Sequence, residues 1–240
     1  MPRVLLIAPQ WIGDAVMAQP LVALLAARGE LVTALGMPSV APVLRAMPGV
    51  SEVVEAPFAH GKLDFALRRR LAAGLRGQGF ERAYILGNNL KSRLVPWLAR
   101  IPHRVGHVGE ARGLLLTDIV ESGVRQSKPA PPAAMALSPV AGCVPAEEAS
   151  RRVDMRQHYA ALARLGASGL DAPVPEPTLA ISAEAGTAAR LQFGLPGRWV
   201  ALCPGAEYGP AKQWPVEHYA ALATLAQQAG YAVAVLGAPR

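Results

Sequence analysis

The sequence has little cysteine, few aromatic side chains and fewer acidic than basic residues. Its 240 residues include two cysteines, Cys143 and Cys203, in segments of different character. Two cysteines are too few for a disulfide framework or for a cysteine-based zinc site, and they favour a reducing compartment such as the cytoplasm. Aromatic residues make up 5% of the chain, and 24 Lys and Arg stand against 17 Asp and Glu, a net charge of +7. The charge points to an anionic partner, but no recognition-helix or aromatic-platform pattern points to nucleic acid.

Long apolar runs are also missing. The longest uncharged stretch, 129–146, contains five prolines, and a proline inside a helix costs about 3 kcal/mol, so this stretch is not a spanning helix. The apolar run Val4–Ala8 is too short for a signal peptide and lacks a small-residue cleavage site. With 52% apolar residues the chain can still bury a core. We therefore expect a soluble, folded protein.

Short apolar runs alternate with longer segments of helical character. The predicted strands are 4–8, 31–35, 50–55, 83–86, 104–107 and 117–120, and the predicted helices are 14–28, 40–46, 63–76, 91–100 and 153–165. A second module has helices at 183–193 and 216–229 and strands at 199–203 and 231–236. This alternation predicts an α/β protein with a parallel sheet and helices on both faces.

Composition divides the chain into domains. Residues 1–170 form the first, doubly wound domain and contain a surface loop at 126–150, rich in Pro and Ala. Residues 171–181 resemble an interdomain linker, and 182–240 are part of a second domain. Because two strands bury little surface, we expect a truncated form of a longer protein.

The turn after the first strand, Gln10–Asp14, lies where ligands bind in doubly wound sheets. Asp14 is close to the start of the first helix, where the helix dipole favours a negative charge. From spacing alone it is either the N-cap of that helix or a general base facing a cleft. Trp11 is either a core residue or a wall of the cleft.

Basic residues follow the third strand. Lys62 and Arg68–Arg70 are either a solvated basic face or a site for an anionic substrate. Three consecutive arginines point about 100° apart on a helix, so at most two of them can serve one ligand. Asn88–Ser92, which includes Lys91, follows the fourth strand and is either a strand-end site or an Asn cap with an exposed lysine.

The segment 203–215 combines small residues with Lys212 directly after a buried strand. Backbone N–H groups can approach an anion there, and Lys212 can supply a charge to a phosphate. Neither a dinucleotide fingerprint nor a P-loop is present. The five histidines do not have the spacing of a metal site, and no serine-nucleophile motif occurs.

Taken together and in order, these segments resemble the ADP-heptose:lipopolysaccharide heptosyltransferases, glycosyltransferase family 9, and within that family its type II members. The matching stretches are 9–14, 60–62 with 68–70, 88–92 with 94–96, 101–104 and 204–215. The most specific of them is Gly-Ala-Glu-Tyr-Gly-Pro-Ala-Lys-Gln-Trp-Pro at 205–215. Residues 126–150 depart from the family pattern.

The resemblance implies a GT-B fold of two Rossmann-like domains, the second incomplete in this chain. It implies inverting transfer of heptose from ADP-heptose to the heptose of the lipopolysaccharide inner core, with no cofactor and no metal. The implied catalytic residues are Asp14, as the base, and Lys212, and the donor phosphates would contact Gly205, Ala206 and Lys212. The acceptor would contact Lys62, Arg68, Arg69, Arg70, Asn88 and Lys91. The implied protein is a cytoplasmic monomer, peripheral to the inner membrane.

Two other functions remain open on the sequence. One is type I activity on a Kdo-lipid A acceptor, against which the loop 204–215 argues. The other is a non-catalytic, acceptor-binding fragment, since the adenine and ribose pocket of the family would lie beyond Arg240. We expect little or no transfer from these 240 residues alone, and turnover near that of a full-length relative would contradict this expectation.

Overall fold

The computed structural model describes residues 1–58, 62–120, 154–164, 173–205 and 213–237. The chain divides into two compact units, Met1–Ala180 and Ile181–Arg240. The predicted loop at 126–150 and part of the predicted linker lie outside the described residues. The predicted domain boundaries therefore stay a prediction.

The first unit contains a six-stranded parallel sheet. Its strands are β1 (Arg3–Ile7), β2 (Leu31–Gly36), β3 (Val50–Glu55), β4 (Phe80–Ile85), β5 (His103–His107) and β6 (Asp118–Val120). They lie in the order β3-β2-β1-β4-β5-β6. All six predicted strands are confirmed to within a few residues. The order runs outward in both directions from the neighbouring strands β1 and β4, which makes this pair the switch point of the sheet.

Helices cover both faces of this sheet. They are α1 (Ile12–Ala27), α2 (Ala41–Arg45), α3 (Phe65–Leu75), α4 (Leu90–Leu98) and α5 (Met155–Ala160), and a 3₁₀ turn at Ala161–Arg164 continues α5. The five predicted helices are confirmed, although the last is shorter and partly 3₁₀. A further 3₁₀ turn spans Glu110–Gly113.

The core has two layers because successive strand residues point to opposite faces. In β1, Val4 and Leu6 belong to the cluster that also contains residues of α1 and α5. The alternate residues Leu5 and Ile7 belong to the cluster with residues of α3 and α4. The sheet is thus covered on both sides, as the apolar, non-alternating sequence of β1 predicts.

The second unit contains α6 (Ala183–Gln192), β7 (Trp199–Leu202), α7 (Val216–Gln228) and β8 (Ala232–Val235), as predicted. Strands β7 and β8 pair in parallel, with Trp199 opposite Ala232. The Ser182 side chain caps α6 by accepting a hydrogen bond from the backbone N–H of Ala185 at 3.1 Å. Neither helix buries a residue, because a two-stranded sheet covers little of their surface.

No helix within the described residues is long and apolar enough to cross a membrane.

Candidate functional site

A cavity of about 500 Å³ opens at the carboxyl ends of β1, β2 and β4. This is the switch point of the sheet, the place where doubly wound folds bind ligands. Its wall includes, besides apolar residues, the polar side chains of Gln10, Asp14, Lys62, Arg68, Asn88, Asn89, Lys91, Ser92, Glu110 and Tyr159. The structure therefore brings together five of the site residues that the sequence predicts: Asp14, Lys62, Arg68, Asn88 and Lys91.

Asp14 lies in the first turn of α1 and lines the cavity. The N-cap of α1 is Trp11, which makes no side-chain capping hydrogen bond, so the alternative of Asp14 as the N-cap is wrong. A carboxylate at this position is stabilised by the positive end of the helix dipole. Trp11 also lines the cavity and is 43% exposed, which makes it a cavity wall rather than a core residue.

Tyr159 comes to the same wall from α5. Its side chain belongs to the core cluster and is 4% exposed, so the sequence interpretation of Tyr159 as a buried helix residue is confirmed but incomplete. Burial, and to a smaller extent the charge of Asp14, raises the pKa of Tyr159. The phenol therefore stays protonated at neutral pH and faces the cavity as a hydrogen-bond donor near a carboxylate.

Asn88 and Asn89 have different roles. The side chain of Asn89 caps α4 by accepting a hydrogen bond from the N–H of Ser92 at 2.9 Å, so the cap that the sequence left open is at Asn89. The Asn88 side chain is exposed, and its backbone carbonyl accepts a hydrogen bond from the N–H of Glu110 at 2.9 Å. A Cβ at residue 109 would lie 2.3 Å from that carbonyl oxygen, so Gly109 permits this close approach.

The three arginines of α3 are in unlike environments. Arg68 is 4% exposed and donates hydrogen bonds from Nε to the carbonyl of Leu63 at 2.7 Å and from Nη1 to that of Lys91 at 2.6 Å. Its guanidinium lies 4.0 Å from the centroid of the Phe58 ring. Burial lowers the pKa of Arg68, and Asp64 partly opposes this shift. Arg69 and Arg70 are exposed and are not part of the cavity wall.

Two lysines complete the positive charge of the cavity. Lys62 is exposed and Lys91 is half-buried, so the exposed lysine that the sequence offers as one of two alternatives after β4 is not found. The two carboxylates of the wall, Asp14 and Glu110, keep the cavity mixed in charge. Such a lining suits a polar ligand that carries a negative group and hydroxyls.

The predicted donor residues belong to the second unit. Gly205 is exposed and follows β7, whereas Ala206 and Lys212 lie outside the described residues. An aromatic cluster stands at the start of α7, where Trp214 stacks on His218 with a centroid distance of 5.2 Å and meets Tyr219 edge-on at 5.0 Å. The roles of Gly205, Ala206 and Lys212 stay predictions.

Within the described ranges, no group of three or more His, Cys, Asp and Glu side chains is placed to hold a metal ion. His60 lies outside those ranges. The expectation of a site without a metal or cofactor stays a prediction.

Some residues of the cavity wall carry no signal that the sequence interpretation used. Glu110 follows the carboxyl end of β5, and the strand-end logic applied to β1 and β4 would have found it. Tyr159 and Met155 carry no such signal, because their spacing is that of an ordinary buried helix. Phe58 and Met37 come from loops after β3 and β2.

Comparison with known proteins shows which proteins this chain resembles. Residues 145–240 match the model of glycosyltransferase family 9 (heptosyltransferase). The lipopolysaccharide heptosyltransferase 2 of Escherichia coli K12 is 35% identical over 247 residues, which cover 99% of this chain and 64% of that protein. The chain thus spans 64% of the length of this relative.

Solved structures are similar over nearly the whole of this chain. The structure of the E. coli ADP-heptose lipopolysaccharide heptosyltransferase II matches with a TM-score of 0.75 and 33% identity over 98% of this chain and 64% of that one. The E. coli heptosyltransferase WaaC with ADP matches with a TM-score of 0.61 at 17% identity over 99% and 68%, and shows the fold alone. The predicted resemblance to glycosyltransferase family 9 and the α/β, GT-B-type fold class are confirmed.

Proposed function

We propose that this chain is part of an inverting glycosyltransferase that moves L-glycero-D-manno-heptose from ADP-heptose to the heptose of the lipopolysaccharide inner core. One observation carries the proposal: the Asp14 carboxylate lies on the wall of a cavity at the switch point of the sheet. The 35% identity to a lipopolysaccharide heptosyltransferase 2 over 99% of this chain supports it.

In the proposed reaction, Asp14 is the general base. A hydroxyl oxygen of the acceptor heptose attacks the anomeric carbon of the donor, and the Asp14 carboxylate takes the hydroxyl proton. The bond between that carbon and the β-phosphate oxygen breaks on the opposite face, and ADP leaves with the bonding electrons. Attack from the face opposite the leaving group inverts the configuration at the anomeric carbon.

The leaving group needs positive charge, which we assign to Lys212. Its ammonium would stabilise the charge that develops on ADP, and the backbone at Gly205 and Ala206 would approach the phosphates. This scheme uses no metal and no organic cofactor.

The acceptor is assigned to the cavity of the first unit. Lys62 and Lys91 offer positive charge to an anionic core saccharide, and the exposed amide of Asn88 offers donors and an acceptor to hydroxyls. Arg68 would contribute its charge from a buried position in the wall, while the exposed Arg69 and Arg70 would meet more distant phosphates. An acceptor of this kind would hold a cytoplasmic, monomeric enzyme at the inner membrane surface.

The test is a transfer assay on this chain with ADP-heptose and a heptose-terminated acceptor, with product detected by mass spectrometry over hours. We expect slow transfer, and Asp14→Asn lowers the rate by about 10²-fold or more, the usual size of a general-base contribution. Asp118→Asn is the matched control, because that carboxylate pairs with the exposed His103 on β5, 3.4 Å away. An unchanged rate in Asp14→Asn, or a product of retained configuration, contradicts the mechanism.

The alternatives give different results in the same assay. Preference for a Kdo-terminated acceptor that lacks heptose indicates type I activity. Binding of the heptose acceptor without any release of ADP, unchanged in Asp14→Asn, indicates an acceptor-binding fragment and contradicts the activity proposed for this chain.

A further inference from the structure

Helix α5 supplies two residues of the cavity wall, Met155 and Tyr159, although it is only six residues long. A helix this short is not stable by itself in water, so contacts with the rest of the unit must fix its position. Apolar packing supplies one set of contacts, since Tyr159 and Leu162 belong to the same core cluster as α1 residues such as Ala18. Apolar packing is not directional, however, and leaves the helix free to slide or turn.

A buried histidine supplies one directional contact, besides the hydrogen bond from Arg28 to the carbonyl oxygen of Ala163 in the turn after α5. His107 ends β5 and is 3% exposed. Its Nε2 lies 2.8 Å from the carbonyl oxygen of His158, 51 residues away in sequence, and its Nδ1 lies 3.1 Å from the carbonyl oxygen of Val120. Each ring nitrogen that carries a hydrogen donates it to the carbonyl oxygen that it faces, and the contact to His158 is the shorter of the two.

The ring of His107 also stacks on that of His158, with 3.7 Å between centroids and 18° between planes. The stacking fixes the rotation of α5 about its axis, because it involves the side chain of the same residue whose carbonyl is bound. Tyr159, the next residue along the helix, packs in the core cluster and lines the cavity. The strands on either side of β5 carry other titratable groups. Asp118 of β6 pairs with His103, and Arg82 of β4 donates a hydrogen bond to Tyr84.

We propose that His107 is a positioning residue of the site: by holding the backbone and ring of His158, it places Met155 and Tyr159 on the cavity wall beside Asp14. The sugar-binding part of this inference rests on the proposed function. The claim that His107 positions Met155 and Tyr159 does not rest on the proposed function, because it concerns the protein without a ligand.

Methionine methyl NMR offers a built-in comparison. Met155 and Met37 both line the cavity, but Met37 follows β2, which β1 and β4 separate from His107 on β5. With methyl-labelled methionine, the two signals are assigned through Met155→Leu and Met37→Leu and followed in the full chain. The probe is a methyl glycoside of L-glycero-D-manno-heptose that carries one phosphate.

His107→Leu removes the ring nitrogens that contact the carbonyls of Val120 and His158 and places an apolar side chain in the buried position. We expect it to shift the Met155 signal in the free protein, to abolish the response of Met155 to the probe and to weaken probe binding about tenfold. The Met37 signal and its response should persist. His107→Gln, whose amide N–H groups can still reach a carbonyl, should restore the Met155 response.

The matched control is His103→Leu, an exposed histidine on the same strand, which should leave both methionines unchanged. A Met155 signal and response in His107→Leu equal to those of the parent overturn the proposal. If His107→Leu does not fold, His107→Asn, with its shorter amide, replaces it in the experiment. Loss of folding in both variants also overturns the proposal, since His107 would then support the whole unit. If the probe moves neither methionine in the parent, the proposed function fails, and the free-protein Met155 signal still decides the role of His107.

Discussion

The sequence and the structure indicate different roles for Arg68. The sequence indicates a contact with the acceptor, whereas the structure shows a buried side chain that links two segments. Its two hydrogen bonds to the carbonyls of Leu63 and Lys91 join the segment before α3 to the first turn of α4, and its guanidinium lies over Phe58. The perturbation is Arg68→Ala. It leaves two carbonyls without their donor and removes the cation from the face of the ring.

The magnitude follows from these contacts. Hydrogen bonds from a charged donor contribute about 1.5–3 kcal/mol each, and a desolvated cation–π contact contributes about 1–2 kcal/mol. Water from the adjacent cavity can replace part of the lost hydrogen bonding. We therefore expect the free energy of unfolding of the first unit to fall by about 2–4 kcal/mol.

The assay is urea unfolding followed by tryptophan fluorescence. Trp11 and Trp97 report on the first unit, and replacing Trp199 and Trp214 by Phe removes the signal of the second. With a slope of about 1–3 kcal/mol per molar urea, the midpoint should fall by roughly 1–2 M.

Arg69→Ala is the matched control, because its side chain is exposed and the change should stay within about 0.5 kcal/mol. Arg68→Lys should recover only part of the loss, since an ammonium cannot reproduce the planar contact with Phe58. Equal midpoints for Arg68→Ala and Arg69→Ala would refute the role assigned to Arg68.

Three further predictions concern caps and buried titratable groups. Asn89→Ala should cost about 1 kcal/mol in urea unfolding because it removes the cap of α4, whereas Asn88→Ala should change little. Burial raises the pKa of Glu30, whose Oε2 has no hydrogen-bond partner within the described residues, so its ionisation opposes folding and stability is lost as the pH rises above 4.5. Glu30→Gln should therefore be more stable than the parent by on the order of 1 kcal/mol at pH 7 and equal to it at pH 4, in thermal unfolding at both pH values. Burial, and then the charge of His107, lowers the pKa of His158 to about 4, so stability should fall as the pH drops from 6.5 towards 4. Because solvent screens part of this cost at the half-buried ring, the fall should be on the order of 1 kcal/mol. His158→Phe keeps the stacked ring and should remove most of this dependence in acid titrations followed by circular dichroism.

Much of the fold is predictable from the sequence because its strands are short apolar runs and its helices end at clear signals. Val4–Ala8 is apolar without alternation, which only a strand covered on both faces tolerates, and β1 is such a strand. Gly29, with a φ of 76°, follows α1 where the sequence predicts the end of the helix.

The site is less predictable because it depends on rotations that sequence spacing does not determine. The spacing of three consecutive arginines implies that at most two can serve one ligand, but only the packing of α3 against α4 selects Arg68 for the wall. The same limit applies to Tyr159, whose spacing indicates burial and not the cavity that it reaches. Asp14 was predicted at the correct edge of the sheet because the turn after the first strand always lies there.

The most direct test of the central claim, that an acceptor sugar reacts beside Asp14, is a crystal structure of this chain soaked with a heptose-terminated acceptor. We predict that the sugar lies in the cavity between the carboxyl ends of β1 and β4, with one hydroxyl about 2.6–3.2 Å from a carboxylate oxygen of Asp14. A sugar bound elsewhere on the first unit, or in the cavity with every hydroxyl beyond about 5 Å from that carboxylate, too far for direct proton transfer, would contradict it.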